Sequence, residues 1–105
     1  MKFRSNQCVA IHLPNLAKAE RFYGGVLGFR LKSKSRTQLE FATGTFTLFI
    51  NKSAKARSPI PSFTVDDAAA AKSYLRKHGC RVTKNFGRAF YFRDPFGLTF
   101  DVIGR

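Results

Sequence analysis

The chain has 105 residues, enough for one domain with its own core. Its hydrophobic (44%) and charged (24%) fractions are those of a globular protein and exclude a disordered one. Nineteen Lys and Arg against six Asp and Glu give a net charge of +13, which points to an anionic partner or ligand.

That charge is spread along the chain. Residues 1–52 carry nine basic and two acidic groups, and residues 53–105 ten and four. There is no basic tail. The densest feature is Arg30, Lys32, Lys34 and Arg36, whose spacing of two predicts four cations on one face of a strand. No run of 18 apolar residues exists, so no membrane-spanning helix is predicted. The first residues lack a secretory pattern. Cys8 and Cys80 are too few for a disulfide framework. These features lead us to expect a cytoplasmic protein with free thiols.

In chain order, Gln7–Leu13 is a short apolar strand. Pro14 and Asn15 form a turn, with Asn15 as helix cap. Leu16, Ala19, Phe22, Tyr23 and Val26 recur at helical spacing, and Gly28 closes the helix. Three strands follow, Phe29–Ser33, Thr37–Ala42 and Thr45–Ile50, the last two joined at Thr43-Gly44. The order then repeats at a period of about 52 residues. Ser62–Val65 is a strand, and Asp66 or Asp67 caps a helix whose apolar side is Ala69, Ala70, Ala71, Tyr74 and Leu75. Gly79 ends that helix. Cys80–Thr83, Ala89–Arg93 and Leu98–Ile103 are strands, with a tight turn at Asp94-Pro95-Phe96-Gly97.

The reading is therefore an α+β chain of two βαβββ modules in tandem, 6–51 and 60–103, joined by a linker over 52–59. The modules form a curved mixed sheet around a cavity, with the helices on the outer face, as one domain over 1–105. Phe22 and Tyr23 are expected to bury against the outer face of the sheet.

Two segments carry a resemblance. Residues 16–29, with Phe22-Tyr23 before Leu27-Gly28-Phe29, are similar to the first-helix signature of the glyoxalase, bleomycin-resistance protein and extradiol dioxygenase superfamily, the vicinal oxygen chelate proteins. Residues 92–101, with Asp94-Pro95-Phe96-Gly97, resemble its final hairpin. Together, in this element order, they are specific for the fold. The fold itself hosts many activities.

The resemblance implies a place for a divalent metal, held by His or Glu on the first and last strands of each module. Carried over one position at a time, those places fall on Cys8, on Thr47 or Leu48, on Ile60 and on Asp101. Only Asp101 is an ordinary ligand for such an ion. If a metal is held at all, Cys8, His12 and Asp101 are the donors to expect. No other catalytic pattern stands out, and no catalytic residue is assigned.

The resemblance also implies a metal-independent alternative: small-molecule binding, with antibiotic or toxin sequestration as one role. We expect this function, with no cofactor. The candidate ligand-binding residues are Cys8, His12, Thr47, Phe49, Arg88, Phe90, Phe92, Thr99 and Asp101, because aromatic walls with a few polar groups suit a ligand cleft. The charge favours a planar, neutral or anionic ligand. The resemblance implies a homodimer. Neither nucleic acid nor a membrane is the expected partner. The alternatives are a metal-dependent lyase or dioxygenase of the same superfamily, and a basic nucleic-acid or protein-interaction module.

Overall fold

Eight strands and two helices follow the expected order in the computed structural model, which describes residues 1–105. They are β1 (Arg4–Leu13), α1 (Leu16–Glu20), β2 (Arg30–Lys34), β3 (Gln38–Ala42), β4 (Thr47–Lys52), β5 (Arg57–Val65), α2 (Ala68–Lys77), β6 (Arg81–Asn85), β7 (Ala89–Arg93) and β8 (Thr99–Gly104). The α+β class and the two βαβββ modules are as the sequence reads. The chain divides into two compact units, Gln7–Pro59 and Ile60–Arg105, the second also holding Met1–Asn6. β1 and β5 are longer than predicted, and β5 takes in Arg57–Pro59 of the predicted linker.

In the first unit the strands lie in the order β2-β3-β4-β1, with β1 parallel to β4 and the other pairs antiparallel. Asn15 starts α1. Its backbone carbonyl accepts from Ala19 N–H (3.1 Å) and its side-chain oxygen from Lys18 N–H (3.0 Å). After Glu20 the helix widens to a π turn over Arg21–Val26, closed by Leu27 N–H donating to the Phe22 carbonyl. Gly24 allows this turn to lie close to the sheet, since a Cβ there would stand 3.3 Å from the Phe41 ring. Gly28, at φ +78°, ends the segment, and Phe29 N–H reaches back to the Tyr23 carbonyl.

Ala19 packs with Ile11, Leu39, Phe41, Leu48 and Ile50, and Leu16 and Tyr23 join them. Phe22 does not bury as expected. It stays 47% exposed, edge-on to Tyr23 at 5.1 Å. The extra residue in the widened turn alters the 3.6-residue phase on which that expectation rests.

The cationic stripe also departs from the simple alternation. The β2–β3 register shifts between Leu31 and Ser33. Lys32 pairs with Glu40 (3.2 Å), whereas Lys34 reaches Glu20 on α1 (2.9 Å). Arg36 lies beyond the strand. A bulge inserts one residue and so breaks the period of two.

In the second unit the order is β5-β8-β7-β6, with β5 parallel to β8 and the other pairs antiparallel. Asp67 is the cap of α2, accepting from Ala70 N–H (3.1 Å). Asp66 instead pairs with Arg4 (2.6 Å). Ala71 and Leu75 bury against Val65, Phe90, Phe92 and Val102. Ala69, Ala70 and Tyr74 are exposed, so the apolar side of α2 is narrower than predicted. The Asp94 carboxylate accepts from Phe96 N–H and Leu98 N–H (both 2.9 Å), which fixes the β7–β8 turn. No helix is long and apolar enough to cross a membrane.

Candidate functional site

Strand alternation gives each sheet one face toward its helix and one open face. In the first unit Ile11, Leu39, Phe41, Leu48 and Ile50 take the helix side. The open face then carries Cys8, Ala10 and His12 on β1 and Thr47, Phe49 and Asn51 on β4. These are paired residue for residue as Cys8 with Thr47, Ala10 with Phe49 and His12 with Asn51. Next to them Glu40 faces Phe49, and the Gln38 amide donates to Asn51 (2.8 Å). Four of the candidate residues, Cys8, His12, Thr47 and Phe49, thus share this face, and all four are half-buried.

In the second unit Phe90, Phe92, Phe100 and Val102 belong to the helix-side core. Phe90 is fully buried and Phe92 is 7% exposed. The structure therefore places these two candidates under α2 and not on the open face. The aromatic run Phe90-Tyr91-Phe92 has rings at both parities, so alternation alone could not tell which ring faces out. The open one is Tyr91. Arg88 is exposed ahead of β7, where its carbonyl accepts from Gly104 N–H (2.7 Å).

The open face of this unit holds Thr99 and Asp101 on β8, Tyr91 and Arg93 on β7, and Ser62 on β5. Tyr91 stands across from Asp101, Arg93 across from Thr99, and Ser62 across from Asp101. A polar relay runs along it. The Asn6 amide donates to Ser62 Oγ (2.7 Å), and Ser62 Oγ–H donates to Asp101 Oδ2 (2.9 Å). Burial pushes the Asp101 carboxyl above its ordinary range, partly offset by the Ser62 hydroxyl and the Val102 N–H. Sequence reasoning missed Asn6, Ser62 and Tyr91. Ser62 is one of several hydroxyls on β5, and only the parallel register shows that it faces Asp101.

The pairings also settle which positions of the two modules correspond. Asn15 and Asp67 both cap helices, and Ala10–Phe49 and Ser62–Asp101 are both parallel β pairs. The caps stand 52 residues apart, and both parallel ladders join residues 39 apart, so the offset set by the caps carries Ala10 onto Ser62 and Phe49 onto Asp101. The first-module place matching Asp101 is therefore Phe49, not Thr47 or Leu48, and Cys8 corresponds to Ile60. A resident divalent metal needs several N, O or S donors together. Here no three His, Cys, Asp or Glu side chains gather to hold an ion. The residues present do not fit a resident metal.

The family model for the Glyoxalase/Bleomycin resistance protein/Dioxygenase superfamily matches residues 6–102, and the chain belongs to that superfamily. Similar solved structures include an extradiol ring-cleaving dioxygenase from B. fuscum, at 21% identity and a TM-score of 0.75 over 99% of this chain and 33% of that one. A homoprotocatechuate 2,3-dioxygenase from Brevibacterium fuscum in complex with 3,4-dihydroxyphenylacetate is similar at 21% identity and a TM-score of 0.75, over 99% of this chain and 37% of that one. The chain spans about a third of the length of these dioxygenases. At this identity the likeness is one of fold. The comparison with curated proteins finds no match.

Proposed function

We propose that this chain is a small-molecule binding protein of the superfamily that works without a resident metal ion. The observation that carries this reading is the occupancy of the metal places. Phe49 stands where the second module has Asp101, Ile60 stands where the first has Cys8, and the Asp101 carboxylate is already engaged by Ser62. The half-buried open faces, each mixing one aromatic ring with polar groups, suit ligand binding. The ligand under this reading is planar and neutral or anionic, given the net charge of +13. The candidate contacts are Cys8, His12, Thr47 and Phe49 in the first unit, and Thr99 and Asp101 in the second. A homodimer in the cytoplasm, with sequestration of a toxic compound as its role, completes the proposal.

Thermal melts with and without added Zn²⁺, Ni²⁺, Mn²⁺ or Fe²⁺ test it. An ion that binds only the folded state raises the midpoint with concentration. The proposal predicts no specific rise for any of the four. A saturable rise that is lost in Asp101→Ala would favour the metal-dependent lyase or dioxygenase reading.

A further inference from the structure

At one end of the second unit the chain turns back between β7 and β8, and the turn closes on itself. The Asp94 N–H donates to the Leu98 carbonyl (2.8 Å) and the Gly97 N–H to the Asp94 carbonyl (3.1 Å). The Asp94 carboxylate accepts from the Phe96 and Leu98 N–H groups (both 2.9 Å). Pro95 has no N–H. Every backbone donor from Asp94 to Leu98 is thus satisfied inside the turn or missing. An unpaired backbone donor is costly to carry into an apolar medium, and this turn carries none.

The side chains at its tip are apolar. Phe96 is 85% exposed, more than any other large hydrophobic residue of the chain, and Leu98 is 58% exposed. Apolar side chains scattered singly over a surface are ordinary, but these two share one turn that is already held in place. Pro95 lies against the stop of α2, where a Cβ on Gly79 would stand 3.6 Å from its ring. A contact made by a preordered segment loses little conformational entropy.

The same end is basic. Arg76, Lys77 and His78 are exposed where α2 stops. Arg81 starts β6, across from Arg93 at the end of β7, and both are exposed. Asp94 is the one acid within 76–81 and 93–98, against four Lys and Arg, so the surplus is three positive charges. Asp66 and Asp67 stand at the other end of α2, and Asp101 is half-buried on β8. A closed turn with an apolar tip, flanked by cations, suits an anionic lipid surface. The apolar side chains enter the boundary between headgroups and acyl chains, while Lys and Arg stay among the headgroup phosphates. A nucleic acid also brings phosphates, but it uses aromatic rings for its bases and free N–H donors for its backbone. Leu98 and the closed turn supply neither.

We infer that the β7–β8 turn is a peripheral membrane anchor. Phe96 and Leu98 insert shallowly into an anionic bilayer, and Arg76, Lys77, Arg81 and Arg93 meet its headgroups. Such a contact needs no spanning segment, which is why the sequence gives no sign of it. The inference is independent of the small-molecule reading above.

The test is sedimentation of the full chain with vesicles of phosphatidylcholine, alone or with about a third phosphatidylglycerol. The inference predicts binding to the anionic vesicles at physiological ionic strength and at least about tenfold weaker binding to the neutral ones. Phe96→Ser/Leu98→Ser and Arg76→Gln/Lys77→Gln each weaken binding to the anionic vesicles by about tenfold. Thermal melts check that both variants are folded. Phe96→Trp reports insertion directly and leaves the rest of the turn intact: its emission shifts to the blue on anionic vesicles and is quenched by brominated acyl chains. No binding of the parent to anionic vesicles, binding unchanged in Phe96→Ser/Leu98→Ser, or an indole emission that stays that of a water-exposed ring would overturn the inference. A single-stranded oligonucleotide whose binding falls in Phe96→Ser/Leu98→Ser, while vesicle binding does not, would overturn it in favour of a nucleic-acid surface.

Discussion

Phe49 and Asp101 occupy the same place in two copies of one module. Each stands on its module's last strand, across a parallel pair from Ala10 and Ser62 respectively. The acid–aromatic partnership is also reversed between the copies: Glu40 faces Phe49 on the antiparallel side, whereas Tyr91 faces Asp101. The two copies thus repeat the strand pairing here and differ in the chemistry placed on it. A site that uses both copies of a position as donors has lost one of them here, and the second copy's carboxylate is tied into a relay.

The caps show how closely the scaffold repeats. Asn15 and Asp67 each accept a backbone N–H three residues on. Replacing either with Ala is expected to cost about 1 kcal/mol. Urea unfolding checks this: the midpoint falls for both variants, while the slope stays that of the parent. A cost below a few tenths for both would show that these bonds do not hold the helix starts.

Two glycines are expected to answer Ala substitution in opposite directions. A Cβ on Gly104 would lie 2.8 Å from Ala68 Cβ and 3.1 Å from its backbone N, at the start of α2, where neither atom can swing away. Gly104→Ala is expected to destabilise by about 1–3 kcal/mol, as overpacking does. Nothing lies within 4 Å of a Cβ on Gly25, in the widened turn after α1. Gly25→Ala is expected to stabilise by about 0.5–1 kcal/mol, because Gly is the poorer helix former. Chemical denaturation of the two variants beside the parent distinguishes the signs.

Asp101 gives stability a pH dependence with a definite sign. Burial raises its carboxyl pKa in the folded chain. The folded state then holds the proton at pH values where the unfolded chain, near the usual value of about 3.9, has lost it. Stability therefore falls as pH rises from the ordinary carboxylate range through the raised value, and this contribution is flat above it. Asp101→Asn, which keeps an oxygen for Ser62, is expected to show a shallower fall across that window. Unfolding free energies measured at several pH values check this. A parent and variant with the same slope would show that Asp101 titrates as an exposed carboxylate does.

Much of the scaffold is legible in the sequence because its signals are local. A cap such as Asn15, a stop such as Gly28 and a turn such as Asp94-Pro95-Phe96-Gly97 each act within a few residues. What escapes the sequence depends on phase or on distant partners. Gln7 adopts φ 58° within β1, a left-handed residue with no glycine to announce it. The π turn over Arg21–Val26 leaves Phe22 half out, and the β2 bulge separates Lys34 from Lys32. In the candidate site, Asp101 could be placed because the resemblance carries a ligand position onto it, and Thr99 lies two residues before it on the same face of β8. Phe90 and Phe92 cannot be told from Tyr91 by pattern, because all three are aromatic and rings fall at both parities. The link from Asn6 to Ser62 to Asp101 joins three strands, and no local pattern records it.

Under the proposed reading, the superfamily's metal places hold no metal in this chain. Elemental analysis of gently purified protein, with native mass spectrometry on the same sample, tests it most directly. The account predicts zinc, nickel, iron and manganese far below one ion per chain, and a small organic molecule as the only retained species. One metal ion per chain, lost in Asp101→Ala, would contradict it.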